Sequence, residues 1–323
     1  MQVYPIRFCP ILKQKIWGGD HLNKLKNLTS PTHQLGESWE ISAVKGNVSV
    51  IQNGDYRDLS LDDLIHQFPV QLLGKKVIQQ FGEQFPLLIK YINAAQNLSI
   101  QVHPDDTVAH CKHNCFGKTE MWYIMDAEPD AQLILGFKDD CEDSAFAKAI
   151  SQNTVMELLN SENVVAGDAF FIHPGLVHAI GAGVTLAEIQ QSSDVTYRVY
   201  DFDRKDAKGN SRELHIDDAI QVTDYKKSTD HKIDYNPHKT GSQNLKTTNY
   251  FTTDYLHFKG CRNIEVATHE SFMVLMNVGE SCTIYYDSVR YDFSNGQTVL
   301  LPAAIPYVRV QSAGDSKLLA IHL

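Results

Sequence analysis

The sequence predicts a mainly β protein with helical insertions, folded as two β-barrels of which the N-terminal one carries the chemistry. Three observations predict this. Short apolar runs bounded by Gly, Pro, Asn and Asp recur along most of the 323 residues, the pattern of half-buried strands between turns. Helical spacing is confined to a few short stretches. One strand-turn-strand segment also occurs twice: Gly167 to His178 can be laid over Gly296 to Tyr307. Each has a Gly, an apolar run, a Pro-containing turn and a projecting residue five places on, so the halves read as copies of one unit. The first copy ends on an imidazole and the second on a phenol.

The length exceeds that of an ordinary single domain. A polar stretch over 226–248, with Pro237 and Gly241, reads as the connector. The expected units are 1–235, with helical insertions near 61–82 and 139–162, and 236–323.

In chain order, residues 1–60 read as irregular structure and short strands, with Trp17 and Trp39 as core or pocket-wall aromatics. Over 61–82, Leu61, Leu64 and Ile65, then Leu72, Leu73 and Val77, fall at helical spacing, with Pro69 and Gly74 as breaks. This predicts one or two amphipathic helices packed outside a sheet. Two apolar strands follow at 87–92 and 98–102. Lys90 sits inside the first, where an unpaired ammonium is expensive to bury; Gln101 and His103 end the second. After a loop rich in His and Cys, a strand over 118–125 puts Lys118 and Glu120 on one face, two residues apart. Residues 139–162 read as a helical insertion.

The organising stretch is 167–204. Gly167-Asp168 turns into an apolar strand, Pro174-Gly175 turns again, and His178 projects from the start of the next strand. Glu188, Gln190, Asp194 and Arg198 follow. A short helix is predicted over 213–221, and strands over 251–259, 263–267, 271–277, 282–286, 297–301, 306–310 and 317–322 build the second unit.

A net charge of −10 argues against nucleic acid or an anionic membrane as partner. No apolar run is long enough to span a bilayer, which with the amino-terminal pattern reads as cytoplasmic. The six cysteines are scattered and read as free thiols. Cys111 and Cys115 flank His113, but no second ligand pair follows at zinc-finger spacing.

His103, Glu120 and His178 are nitrogen and oxygen donors on strand ends beside turns, with Gln101 as a possible fourth, oxygen, ligand. Such a set suits a divalent ion that keeps one position open.

The segments AAQNLSIQVHPDD, KTEMW, GLVHAIG and EIQQSSDVTYRVYDFDR resemble the cupin superfamily and, more narrowly, the type I mannose-6-phosphate isomerases of short bacterial form, over the whole chain. The resemblance implies two cupin (jelly-roll) barrels. It implies one zinc ion per chain on Gln101, His103, Glu120 and His178, and a sugar phosphate substrate. Arg198 matches the family's catalytic arginine, Lys90 and Lys118 its active-site lysines, and Ser99, Glu188 and Asp194 its polar pocket residues. Trp17 is expected at the pocket and Arg204 at the phosphate. Lys90 is a possible proton carrier if burial and Lys118 lower its pKa, with Glu188 the rival base. A monomer or weak homodimer is expected. His173 stands where the motif usually has Pro, which predicts only a changed turn. An iron-dependent cupin oxygenase and a non-catalytic sugar-binding cupin are the alternatives.

Overall fold

The computed structural model describes residues 1–206 and 208–323. The N-terminal strands are β1 (Ile11–Gly19), β2 (Leu35–Ile41), β3 (Ala43–Val44), β4 (Asn47–Val48), β5 (Leu87–Ala94), β6 (Ile100–Val102), β7 (Glu120–Ala127) and β8 (Gln132–Phe137). They continue as β9 (Leu159–Asn163), β10 (Ala169–Ile172), β11 (His178–Ile180), β12 (Val184–Gln191) and β13 (Tyr197–Tyr200). Two antiparallel sheets result, in the orders β1-β2-β5-β12-β7-β10 and β13-β6-β11-β8-β9. They face each other across a core that includes Trp122, Leu133, Phe170 and Leu186.

Strands β5 and β12 are buried along their whole length. Their second face packs on the C-terminal half, where Ile89, Tyr91 and Ile189 share one cluster with Tyr255, Met276, Leu319 and Ile321. Burial on both faces suits the apolar start of β5, and the polar residues of the two strands, Lys90, Glu188 and Gln190 among them, are buried with it.

The C-terminal strands are β14 (Gly241–Thr247), β15 (Thr252–Glu265), β16 (Met273–Asn277), β17 (Cys282–Tyr286), β18 (Val289–Phe293), β19 (Thr298–Leu301) and β20 (Tyr307–His322). They form a sheet in the order β14-β15-β20-β16-β19, with the β17-β18 hairpin paired to β20. The two strands expected at each of 251–267 and 306–322 are single long strands that pair with each other, interrupted by a bulge between Phe258 and Gly260. Within the connector, 241–247 is strand, and Phe171 and Ile233 exchange backbone hydrogen bonds with His231 and Ala169, so the connector extends the β10 edge.

The stretch 61–82 forms three short helices: α2 (Leu61–Gln67), α3 (Pro69–Leu73) and α4 (Lys75–Phe81). Ser60 caps the first through Asp63 N. Gly74 breaks the last two at φ +90°, where a Cβ would lie 2.2 Å from the Glu270 carbonyl oxygen. The His- and Cys-rich loop is instead a helix, α5 (Asp106–His113), capped by the Asp105 carboxylate on Val108 N and closed by Asn114 at φ +52°. The 139–162 insertion is helical only as α6 (Asp143–Ser151) and a 3-10 turn at Val155–Glu157, before β9 begins. The remaining helices are α1 (His21–Leu25) and α7 (Ile216–Val222).

Gly167 (φ +97°) turns into β10 and Gly296 (φ +73°) into β19. His178 and Tyr307 then open β11 and β20. His178 is fully buried, whereas Tyr307 is 50% exposed.

Candidate metal centre and adjoining cavity

Three strands of the N-terminal barrel bring the donors together. Glu120 opens β7, His178 opens β11 opposite Gln101 of β6, and His103 directly follows β6. One ligand atom from each of His103, Glu120 and His178 lies within 4.8 Å of the others. The His178 Nδ1–H donates to Leu176 O at 2.8 Å, which leaves Nε2 bare on the inward side. The Gln101 amide reaches 3.3 Å from that Nε2.

His103 Nε2 sits 3.3 Å from Glu120 Oε1, yet the angles make no hydrogen bond. All four polar atoms of the two side chains are buried without hydrogen-bond partners, the Lys118 ammonium at 3.1 Å from Glu120 Oε1 being an ion-pair contact only. Leaving such groups unpaired costs several kcal/mol. A cation is the group that would satisfy one His103 nitrogen and the Glu120 carboxylate together.

Their protonation states suit one. Burial, then the Lys118 ammonium, lowers His103 to about 3. Burial lowers His178 to about 4. Burial alone would raise Glu120, but Lys118 and His103 override it and hold the carboxyl well below its usual range. Neutral imidazoles beside an ionised carboxylate are what a metal ion requires. The residues therefore fit the divalent ion that their types imply.

Gln101 and Lys118 also line a cavity of about 250 Å³. Its walls are Trp17, Trp39, Ile92, Leu98 and Ile180, and its polar lining includes Lys90, Glu188, Ser99, Asp194 and Arg198. Eleven of the twelve predicted site residues thus converge on the metal group or on this cavity. Arg204 does not. Its guanidinium is 2.5 Å from the buried Asp201 carboxylate and reaches the Asn97 carbonyl, away from the lining. Arg212, eight residues on, lines the cavity in its stead.

Lys90 Nζ lies 2.7 Å from Glu188 Oε2, donates to Gln190 Oε1 at 2.6 Å, and rests over the Trp39 ring. The lowered pKa that would make Lys90 a proton carrier is not found. Burial lowers it, but the carboxylates of Glu188, Glu37 and Glu120 outweigh burial and raise it, so Lys90 is an ammonium. Glu188 accepts from Trp122 Nε1 at 2.9 Å. Burial, then the Glu120 charge, raises its pKa in spite of Lys90. Lys118 Nζ is 3.1 Å from Glu120 and links the cavity to the metal group.

Arg198 donates from Nε to Ser99 Oγ at 3.3 Å and from Nη1 to Glu213 O at 2.7 Å. Sequence reasoning missed Lys15, Glu37 and Arg212 among the lining residues. Glu37 had a usable signal: it alternates with Trp39 on one strand face, and its carboxylate accepts from Trp39 Nε1 at 2.6 Å and pairs with Lys15 at 3.1 Å.

Residues 6–141 match the family model described as phosphomannose isomerase type I, catalytic domain. The chain is 34% identical to the mannose-6-phosphate isomerase ManA of Bacillus subtilis over 330 residues, covering 100% of both chains. This chain belongs to the type I mannose-6-phosphate isomerase family. It is also 34% identical to the Streptococcus mutans mannose-6-phosphate isomerase over 96% of each chain. The crystal structure of a Bacillus subtilis mannose 6-phosphate isomerase superposes with a TM-score of 0.88 at 29% identity, covering 100% of both chains. The architecture is the cupin fold of that family.

At the His173-Pro174 departure the chain forms a tight turn. His173 Nδ1 lies 2.9 Å from Pro174 O, Gly175 adopts φ +88°, and Gly175 N donates to His103 O at 2.9 Å. His178 still opens β11. Cys111 is an exposed free thiol and Cys115 a half-buried one. Among the described residues no helix is long and apolar enough to cross a membrane.

Proposed function

We propose that this protein interconverts mannose 6-phosphate and fructose 6-phosphate through an enediol, with one zinc ion per chain on His103, Glu120, His178 and the Gln101 amide oxygen. One observation carries the reading. Buried donors in metal-ready protonation states adjoin, through Gln101 and Lys118, a cavity with a buried carboxylate–ammonium pair and two arginines. When bound, the zinc would supply Lewis acidity and a template for neighbouring oxygens.

The chain's own residues account for the rest. The reaction removes a weakly acidic proton beside a carbonyl and returns it to the adjacent carbon. Glu188 is the proposed base: its carboxylate lines the cavity, is held by the Trp122 N–H, and has the raised pKa that suits proton abstraction near neutrality. Lys90, kept cationic by three carboxylates, stabilises the negative charge that develops on substrate oxygen, and Lys118 assists from the metal side. Arg198 orients the open-chain oxygens through a guanidinium braced by Ser99 and the Glu213 carbonyl. Arg212, at the mouth, takes the phosphate with Arg198 as neighbour. Asp194 sits at the exposed rim, and Trp17 and Trp39 wall the sugar. The enzyme acts in the cytoplasm as a monomer or weak homodimer, without nucleic acid.

The test is coupled turnover of mannose 6-phosphate before chelation, after chelation and after zinc return. Activity lost with chelator and restored by zinc is the expected result. A folded, zinc-loaded protein without turnover overturns the reading.

A further inference from the structure

Between β13 and α7 the chain forms a small hairpin, closed by a bridge between Lys205 and Ser211. The Asp206 carboxylate supports its turn by accepting from Lys208 N and Asn210 N at 2.8 Å each. Arg204 leaves on one arm and Arg212 returns on the other, and both meet Asp201 at the base. Asp201 is only 6% exposed. Arg212 grips it with both Nε, 2.7 Å from Oδ2, and Nη2, on Oδ1. Arg204 Nη2 takes Oδ1 as well, while Arg204 Nη1 ties to the Asn97 carbonyl. Asn97 directly precedes Leu98 and Ser99, both of which line the cavity, and Ser99 braces Arg198.

We propose that Asp201 and Arg204 are positioning residues: the buried carboxylate, anchored by Arg204 to the 97–99 segment, holds Arg212 at the cavity mouth as part of the seat for the substrate's phosphate. Three guanidiniums gather there against buried Asp201 and exposed Glu213, so the local charge is positive in a chain of net charge −10. A phosphate dianion complements that surplus. A bidentate grip also gives Arg212 one orientation, which a flexible side chain at a solvent-facing mouth would otherwise lack. Each nitrogen of Arg204 is already engaged by Asp201 or Asn97 and the side chain does not line the cavity, so it acts through its neighbours and makes no contact of its own with the phosphate.

The inference rests on the sugar-phosphate reading of the cavity, and two readouts separate the two claims. One is KM and kcat for mannose 6-phosphate. The other is direct calorimetric binding of inorganic phosphate, which needs no turnover. In Asp201→Asn and Arg204→Met, phosphate binding and KM should each weaken by roughly ten-fold, the cost of a charge-assisted contact, with a smaller effect on kcat and unchanged metal content. Arg204→Lys, which can restore one contact, should recover part of the loss. Thermal melts identify any variant that unfolds, and Arg204→Met, less buried than Asp201→Asn, is then the decisive one. Wild-type phosphate affinity and KM in folded Arg204→Met overturn the proposal even if the wild type isomerises normally. Phosphate binding that the variants weaken in a wild type without turnover upholds the seat and discards the isomerase reading.

Discussion

Lys90 and Glu188 are direct partners across the β5–β12 ladder, with Nζ 2.7 Å from Oε2. Both side chains are buried, and cross-strand partners on one sheet face are held at short range by the ladder itself. The pairing keeps the lysine charged, while burial and Glu120 keep the carboxyl easier to protonate than usual. The pair combines a fixed cation with the carboxylate proposed as base.

Removing the base should therefore cost rate more than binding. Glu188→Gln is expected to lower kcat by roughly 10²–10⁴-fold, the usual worth of general base catalysis, with bound metal unchanged. Steady-state kinetics with metal analysis checks this. A variant with near-wild-type turnover removes Glu188 from the role.

The same carboxyl sets a pH dependence. As the proposed base Glu188 would work when ionised, and its pKa is raised by burial and by Glu120. Activity should therefore fall as pH drops through a value above the ordinary carboxylate range. Trp122→Phe deletes the N–H that accompanies the ionised form, which raises the pKa further and moves the acid limb of kcat/KM to higher pH. An unmoved limb in that variant would contradict the assignment.

For the chelated protein, stability should follow His103 and His178. Both are buried and their folded pKa values, about 3 and about 4, lie below the ordinary 6.5. Below that value the unfolded chain takes up protons that the folded chain refuses, so acid favours unfolding. The stabilisation is complete above about pH 6.5 and falls at about 1.4 kcal/mol per pH unit per histidine as pH drops towards the folded values. Denaturant titrations at several pH values measure the slope, and His103→Gln should reduce it.

Between the halves, Lys26 Nζ lies 2.5 Å from both Glu40 Oε1 and the Gly296 carbonyl, over the Tyr91 ring. Lys26→Met leaves Glu40 buried with Ser38 as its hydrogen-bond donor and should cost about 3–5 kcal/mol. The double variant Lys26→Met/Glu40→Leu should recover much of that. Urea denaturation of the two forms decides it: equal losses mean the charge pairing is not the cause.

Local chemistry was readable where the signal and the structure share a short stretch. Pro174-Gly175 announced the turn that presents His178. Lys118, expected to share a strand face with Glu120, instead precedes β7, which begins at Glu120, yet its Nζ still lies 3.1 Å from the Glu120 carboxylate. The α5 helix was missed although its cap, Asp105, stands in the sequence; the following His and Cys residues masked an otherwise ordinary helix start. The fused strands β15 and β20 were cut in two because Gly260 and the 311–316 polar stretch look like turns, while the long antiparallel pairing carries the ladder through them.

The sequence by itself determined the donor set, the family and the strand-turn-strand units that carry His178 and Tyr307, since each depends on residue types at fixed local spacing. Only the tertiary structure decided that Arg212 and not Arg204 reaches the cavity, and that Lys90 keeps its proton. Those outcomes depend on Asp201, Asn97, Glu37, Glu120 and Glu188. Most of these lie on different strands and loops, and the charge at one side chain is the sum over whatever the fold brings within a few ångströms of it.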